Sequence, residues 1–232
     1  MNQIINNLLY TEPTYLYGNF EKRTIFKIKV DSTILKNLLN STTDINRRQI
    51  SFNLMMMTND HKVLLLQRSE SFYFSKVIKD LKINKIDFKL LSSLYTSELE
   101  KIRKTFFDFL PPYDCLQPET KKIYIFPGGH SKSKETLILT LLRELWEETT
   151  IHFKKKFLRF NQSFIFKVSI LDLMIQKHFE NFVFPVKVDM SSHDIIQRFK
   201  ETKHVRNLTF IDIHGCDSLF SAFLHVQNFM LI

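Results

Sequence analysis

Two neighbouring glycines and three glutamates carry the strongest functional signal in this sequence. Gly128 and Gly129 follow a β-rich run and precede a segment with helical periodicity, in a chain of 232 residues that has only four glycines. Glycine at such a junction allows backbone conformations and close approaches to a ligand that side chains would prevent. In the following segment Glu144, Glu147 and Glu148 lie at i, i+3 and i+4, which places their carboxylates on one helix face within about 100°.

The three carboxylates need a counter-charge. Like charges one helical turn apart destabilise an isolated helix by about 0.2–0.5 kcal/mol per pair. A hard divalent cation would offset this repulsion, because Mg²⁺ and Mn²⁺ prefer carboxylate oxygens and water and also bind phosphate. Arg143 can also pair with Glu147 one turn on. The competing interpretation, a solvated acidic helix face, is weakened by the glycine pair that precedes it.

The same residues belong to a longer pattern. Gly129 is followed after five residues by Glu135 and after seven more by Arg143, which begins the run Arg-Glu-Leu-Trp-Glu-Glu-Thr-Thr-Ile. This pattern resembles the Nudix box, Gly-x5-Glu-x7-Arg-Glu-(apolar)-x-Glu-Glu-x-Gly-(apolar), at eight of its nine defined positions. The departure is Thr150, which stands where the box has the glycine that ends the helix.

The resemblance to the Nudix hydrolases implies a fold, a cofactor and a set of roles. The implied fold is α+β, an α/β/α sandwich, and the implied reaction is Mg²⁺- or Mn²⁺-dependent hydrolysis of a nucleoside diphosphate linked to another moiety. By position, the metal would be held by loop and helix residues: Glu144, Glu148, the Gly129 carbonyl, and Glu147 as a third ligand or a contact to metal-bound water. Glu135 would support the loop and Arg143 would orient a glutamate.

A narrower resemblance lies outside the box. The runs that begin at Arg68 (Arg-Ser-Glu-Ser-Phe-Tyr-Phe-Ser), Pro127 (Pro-Gly-Gly) and Lys177 (Lys-His-Phe-Glu-Asn-Phe-Val-Phe) are similar to the poxvirus Nudix mRNA-decapping enzymes. In that family two aromatic side chains sandwich the methylated guanine of the cap, and by position these would be Phe72 and Phe179. The base is cationic, so it gains stacking and cation–π attraction, about 1–3 kcal/mol per stacked base. Because the chain has 23 phenylalanines, core packing is the competing role for each.

This resemblance implies capped mRNA as the substrate, hydrolysed to 7-methyl-GDP and 5′-monophosphate RNA. The attacking water would need a general base, for which Glu147 and Glu180 are candidates. Asp189 and Asp194 also lie downstream, and Nudix proteins place this base variably. If the chain is viral, the resemblance further implies action in the host cytoplasm, where decapping would lower host and viral transcript levels.

The basic surplus points to a polyanionic partner. Lysine plus arginine exceed aspartate plus glutamate by 33 − 24 = 9, and the pI is about 9.4. We expect phosphates of a single-stranded RNA body to bind Arg68, a basic ridge formed by Lys76, Lys79, Lys82, Lys85 and Lys89, and two further basic runs, Lys101–Lys104 and Lys154–Arg159. The competing interpretation is a solvated basic helix face.

Local patterns of apolar and turn-forming residues predict the secondary structure around the site. We predict a β-hairpin (50–57 with 62–68), a helical block (75–110), strands at 122–126, 160–169, 177–184 and 208–213, and helices at 134–149, 192–201 and 217–229. The predicted organisation is an N-terminal extension (1–45) and a Nudix domain (46–232) with a helical insertion at about 75–118. Pro111-Pro112 should end the helices of this insertion.

Composition supports a single folded domain. Hydrophobic residues make up 44% and charged residues 25% of the chain, the ordinary globular balance. Cys115 and Cys216 cannot form a disulfide framework, and no apolar run reaches the roughly 18–20 residues of a membrane span. We therefore expect a soluble, cytoplasmic monomer with no membrane-spanning segment.

Two other functions remain open on the sequence alone. One is a Nudix pyrophosphatase of small nucleotides, such as a dinucleoside polyphosphate, a nucleotide sugar or an oxidised dNTP, although the basic insertion exceeds what such a substrate requires. The other is a catalytically silent module that binds capped RNA. The intact Arg-Glu-Leu-Trp-Glu-Glu run argues against the silent module.

Overall fold

The computed structural model describes most of the chain. The described residues are 16–20, 24–31, 50–83, 85, 87–106, 122–132, 134–161 and 165–231. Pro111-Pro112 and Cys115 lie outside these ranges, and Cys216 is a free thiol. Within the ranges given, no helix is both long enough and apolar enough to cross a membrane.

The strands of the described ranges join in one mixed sheet. They are β1 (Leu16–Phe20), β2 (Thr24–Asp31), β3 (Ile50–Met57), β4 (Lys62–Arg68), β5 (Tyr124–Ile125), β6 (Gly128–Gly129), β7 (Leu158–Phe160), β8 (Ile165–Asp172), β9 (Lys177–Val188) and β10 (Val205–Asp212). The main path runs β1-β2-β8-β9-β3-β4-β10, with β5 beside β4, β6 beside β3 and β7 beside β9. The β3–β9 pair is parallel and the other pairs are antiparallel.

The helices of the described residues lie before, between and after these strands. They are α1 (Phe74–Lys82), α2 (Thr96–Thr105), α3 (Leu137–Thr149), α4 (Ser192–Arg198) and α5 (Leu219–Leu231), with a 3-10 helix (Phe88–Ser93) between α1 and α2. The predicted helices at 134–149, 192–201 and 217–229 therefore form, although α3 and α4 are shorter than predicted.

The sheet is covered on both faces, which confirms the predicted α/β/α sandwich. Along β3 the side chains alternate, so that Leu54 and Met56 pack with α3 and α4 while Met55 and Met57 pack with α5. Each face is thus a separate apolar core, and the strand period of two determines which core a residue joins.

The predicted hairpin has the predicted strand bounds but opens beyond its turn. β3 and β4 pair at Met57 and Val63, and the chain segment 123–129 then lies between them. The backbone N–H of Leu54 donates to the Pro127 carbonyl (2.7 Å), and that of Arg68 donates to the Ile123 carbonyl (2.9 Å). Because this segment takes hydrogen bonds from both strands, the glycine pair is fixed at the centre of the sheet.

The predicted helical block at 75–110 is not one continuous helix in its described part. α1 ends at Lys82, where the Lys85 N–H turns back to the Asp80 carbonyl and the Asp87 carboxylate accepts the Lys89 N–H. The predicted basic ridge is therefore divided: its first three lysines lie on α1, whereas Lys85 and Lys89 follow beyond the helix.

The helical insertion has its own apolar core and is attached to the β8–β9 turn. Its buried leucines, isoleucine and valine pack against Met174 and Ile175 of that turn. The Tyr73 hydroxyl donates to the Asp172 carboxylate (2.7 Å), whose other oxygen accepts the Met174 N–H (2.9 Å). The insertion therefore forms a wall that faces the end of β8 and β9.

Part of the predicted N-terminal extension belongs to the same sheet. β1 and β2 form an antiparallel pair, and β2 pairs with β8 from Thr24–Asp172 to Asp31–Ile165.

Candidate active site

Helix α3 turns its glutamates toward the glycine loop because its apolar stripe faces the core. Leu137, Leu141 and Leu145 repeat every four residues and are buried against the sheet. Glu144 and Glu148 lie beside this stripe, so burying the leucines brings both carboxylates to the edge of the sheet where the loop lies. The helix begins after Thr136, whose hydroxyl accepts the Leu139 N–H.

Both glycines are required by close approaches. At Gly129 a β-carbon would lie 2.5 Å from the carboxylate carbon of Glu144. At Gly128, where φ is +148°, a β-carbon would lie 2.1 Å from the Phe52 carbonyl oxygen. The Gly128 N–H also donates to the Glu148 carboxylate at 2.9 Å. The loop backbone is therefore in direct contact with two of the three glutamates that are predicted to bind the metal.

Arg143 holds the acidic cluster together. Its guanidinium donates to Glu135 at 2.8 and 3.0 Å, to Glu144 at 2.7 Å, to Glu147 at 3.2 Å and to the His130 carbonyl at 2.8 Å. The hydrogen bond from Arg143 is the main cause that lowers the pKa of Glu135 to about 2, and the reciprocal bond raises the pKa of Arg143 above its ordinary value. Arg143 thus links the loop to the helix.

Glu148 is the carboxylate whose charge is least well compensated. Its side chain is buried, with the residue only 8% exposed. Burial, with repulsion from Glu144 and Glu147, raises its pKa to about 8, although the Gly128 N–H and the charge of Arg68 act in the opposite direction. A divalent cation would relieve this cost, because it stabilises the ionised carboxylate directly.

The carboxylate and carbonyl oxygens of this site are the ligands that a hard cation prefers, but the glutamates do not converge on one point. Among the described residues no three His, Cys, Asp or Glu side chains converge on one point. The reason is that Arg143 draws Glu144 and Glu147 toward itself. Glu148 makes no ion pair within the described chain, and the Gly129 backbone lies against Glu144. Glu144, Glu148 and the Gly129 carbonyl are accordingly the groups that could hold Mg²⁺ or Mn²⁺.

One cavity of about 910 Å³ brings most of the predicted site residues together. Its lining includes Arg68, Phe72, Lys76, Gly129, Arg143, Glu144, Glu147, Glu148 and Phe179. Lys79 and Lys82 are exposed on α1 and do not line it, and Glu135 supports the loop from outside by accepting the Lys132 N–H at 2.9 Å. Acidic, basic and aromatic groups therefore share one space.

The two aromatic candidates stand on different walls of this cavity. Phe72 precedes α1 and is 59% exposed, with the Arg68 guanidinium 4.5 Å from its ring centroid. The Arg68 Nε–H donates to the Glu70 carbonyl, which keeps the guanidinium beside the ring. Phe179 is half-buried on β9. An exposed aromatic side chain with one face toward a cation is unlike a core phenylalanine.

Glu180 is separated from the other carboxylates. It follows Phe179 on β9, so its side chain leaves the opposite face of the sheet, where its carboxylate pairs with Lys167 at 2.8 Å. The further candidates lie elsewhere, since Asp189 pairs with Arg159 and Asp194 caps α4. Of the candidate bases, Glu147 is the one that lines the cavity.

The sequence analysis did not identify the polar residues of the cavity floor. Ser51, Asn53 and Asn181 line the cavity between the glutamates and Phe179. Strict alternation along β9 could have found Asn181, because it must share a face with Phe179 and not with Glu180. The sequence around Ser51 and Asn53 gives no sign of this contact, because the pairing of β3 with β9 joins segments that are far apart in the sequence.

Comparisons with known proteins place the chain among viral relatives. It is 39% identical over 223 residues to protein 080R of Invertebrate iridescent virus 3, covering 94% of this chain and 91% of that protein. It is 33% identical over 161 residues to an mRNA-decapping protein of fowlpox virus (strain NVSL), covering 68% of each. No protein-family model matches the chain.

Among solved structures, the binary complex of an Ap4A hydrolase from C. elegans overlaps with a TM-score of 0.41 at 13% identity, covering 78% of this chain and 91% of that one. The viral relatives are similar over more than two thirds of their length. The chain belongs to the Nudix hydrolases, in the family that contains these viral proteins.

Proposed function

We propose that this protein is an mRNA-decapping hydrolase, which cleaves the pyrophosphate bond of the 7-methylguanosine cap to release 7-methyl-GDP and 5′-monophosphate RNA. One observation carries the proposal: the glutamates of α3 and both predicted aromatic cap contacts, Phe72 and Phe179, line the same cavity. The name of the fowlpox relative, an mRNA-decapping protein, agrees with this activity. Such an enzyme would act as a monomer in the cytoplasm of the host cell.

The catalytic end of the cavity would work through Mg²⁺ or Mn²⁺. Glu144, Glu148 and the Gly129 carbonyl would hold the ion, which would neutralise phosphate charge and lower the pKa of the attacking water. Glu147 would accept the proton of that water, because it is the candidate base that lines the cavity beside the other glutamates. Arg143 would keep Glu144 and Glu147 in position through the hydrogen bonds described above.

The other end would bind the cap base. Phe72 and Phe179 would stack on the two faces of 7-methylguanine, which carries the positive charge that attracts aromatic rings. Arg68 would support the Phe72 ring from its remaining side and would offer its guanidinium to the phosphates. The exposure of Phe72 supports this role, since a stacking platform must be reachable from solvent.

The RNA body would leave along the basic face of α1. Lys76 lines the cavity, and the exposed Lys79 and Lys82 continue from it along the same helix. Each phosphate that these lysines neutralise would contribute about −0.7 to the slope of log affinity against log salt concentration. Binding of this kind is independent of sequence, as an enzyme acting on many transcripts requires.

The test is incubation of cap-labelled RNA with the protein and Mg²⁺ or Mn²⁺, with the labelled product resolved by chromatography. Wild type should release 7-methyl-GDP, and the double variant Glu144→Gln, Glu147→Gln should not. Glu100→Gln, on the exposed surface of α2, is the matched control and should retain activity.

Two results would contradict the proposal in different ways. Hydrolysis of small nucleotides without release of 7-methyl-GDP would identify a Nudix pyrophosphatase of small substrates. Binding of capped RNA with hydrolysis of neither substrate would identify a non-catalytic cap-binding module.

A further inference from the structure

A row of uncharged polar side chains forms the floor of the cavity between its two ends. Ser51 and Asn53 stand on β3, and Asn181 stands on the neighbouring strand β9, directly opposite Ser51 in the parallel register. The surrounding walls carry charged groups of both signs, including Arg68 and Glu144. A neutral row in that position is suited to a part of the ligand that is polar but carries no charge.

The three side chains are joined in a hydrogen-bonded chain. The Asn53 amide donates to the Ser51 hydroxyl (3.1 Å), and the Ser51 hydroxyl donates to the Asn181 amide oxygen (2.5 Å). This chain holds the Asn181 side chain in place from one side. Within the described part of the chain, the other end of the Asn181 amide has no hydrogen-bond partner, and it is not sealed from solvent. Asn181 therefore has hydrogen-bonding capacity to offer to a ligand.

The order of groups along the floor matches the order of groups in a nucleotide. Phe179 and Asn181 share one face of β9 and are separated by two residues, about 6.6 Å along the strand. Asn53 pairs with Gly128, whose N–H binds the Glu148 carboxylate. The floor thus runs from an aromatic ring through neutral amides to the acidic cluster, as a nucleotide runs from base through ribose to phosphate.

We infer that Asn181, held by Ser51 and Asn53, binds the ribose hydroxyls of the nucleoside whose base stacks on Phe179. The inference rests on the proposed function, because it assumes a base at Phe179 and phosphates at the glutamates. The free end of the Asn181 amide is its Nδ2 group, which donates, and a ribose hydroxyl can accept this hydrogen bond. Phosphate only accepts and carries charge, and it is therefore better served by the cations and the metal.

The experiment combines a change in the protein with a change in the ligand. The substrates are the dinucleotide 7-methylguanosine-triphosphate-adenosine and its analogues that lack the 2′ or the 3′ hydroxyl on the methylguanosine ribose. The enzymes are wild type, Asn181→Ala, and Asn228→Ala as a control on the exposed surface of α5. The quantity compared is kcat/KM for each enzyme with each substrate, measured with Mn²⁺.

Wild type should lose about tenfold in kcat/KM on at least one deoxy analogue, a change equivalent to about 1.4 kcal/mol. Asn181→Ala should lose a similar factor on the full substrate and should lose no more on that analogue, because the contact is already absent. Asn228→Ala should behave as wild type.

Equal hydrolysis of the full and both deoxy substrates by wild type would overturn the inference even if the variant failed to fold. Independent, multiplicative losses from the variant and the analogue would also overturn it. Absence of hydrolysis of any capped substrate by wild type would instead contradict the proposed function itself, so the two failures are distinguishable.

Discussion

Glu148→Gln should make the metal-free protein more stable at neutral and alkaline pH while removing its activity. The Glu148 carboxyl has a pKa of about 8 in the folded protein, against an ordinary value of 4.5. Folding therefore favours the protonated form, and the stability linked to this proton is complete below pH 4.5 and is lost as the pH rises toward 8. Glutamine keeps the shape of the side chain and an oxygen that can accept the Gly128 N–H, but it has no charge to bury.

The size of the effect follows from the two pKa values. Between pH 4.5 and pH 8, each unit rise in pH lowers the free energy of unfolding of wild type by at most about 1.4 kcal/mol, because the unfolded chain releases the Glu148 proton more readily than the folded one. The stability difference between the variant and wild type should therefore increase by about 3 kcal/mol from pH 5 to pH 7.5. Such a difference is a large share of the 5–15 kcal/mol that is typical of a folded domain.

The assay is urea unfolding of wild type and variant in a chelating buffer at several pH values. Glu100→Gln, on the exposed surface of α2, is the control for removal of a carboxylate and should follow wild type. Addition of Mn²⁺ should then stabilise wild type at pH 7.5 more than the variant, because the ion compensates the buried charge. If the curves of stability against pH for wild type and Glu148→Gln ran parallel, burial of an uncompensated carboxylate would be the wrong account of this site.

Three further outcomes are expected. Thr150→Gly should raise the free energy of unfolding by about 1 kcal/mol and Tm by about 2–4 °C, because Thr150 has the left-handed φ of +60° that a β-branched residue adopts at a cost; an unchanged Tm would contradict this. Replacing Lys79 and Lys82 with glutamate should lower the affinity for long capped RNA by a factor at least ten times larger than the factor by which it lowers kcat/KM for a cap dinucleotide. Equal losses would count against the proposed RNA path. Phe72→Ala should weaken 7-methyl-GDP binding in calorimetry by about 10- to 100-fold with little change in Tm, since the side chain is 59% exposed; a large fall in Tm would indicate a packing role.

The features that depend on local sequence were predicted well. Helix α3 forms where apolar residues recur every three or four positions, and Thr150 ends it where the box has glycine, with its N–H bonded to the Trp146 carbonyl. The spacing predicted that Glu144 and Glu148 share one helix face, and both carboxylates of that face lie beside the loop. The bounds of β3 and β4 also follow from local apolar runs.

The features that depend on partners distant in sequence were not predictable in this way. No local signal shows that segment 123–129 enters between β3 and β4, because its partners lie 55 (Arg68 to Ile123) to 77 (Phe52 to Gly129) positions away in the sequence. Helical periodicity suggested that the lysine spacing continued past Lys82, but the Asp87 side chain begins a separate 3-10 helix. Glu180, a candidate base, directly follows Phe179 in the sequence, but strand alternation places the two side chains on opposite faces of the sheet.

The parallel pairing of β3 with β9 has a consequence for how the protein folds. Ser51 and Asn181 are 130 positions apart, so their contact closes a long loop. Closing a long loop slows folding, because the chain loses conformational entropy before many stabilising contacts have formed. The acidic helix and its glycine loop depend on shorter-range contacts, whereas the floor of the cavity exists only once β9 has joined the sheet. We therefore expect the capacity to bind a nucleotide to arise late in refolding, after most of the helical signal has returned.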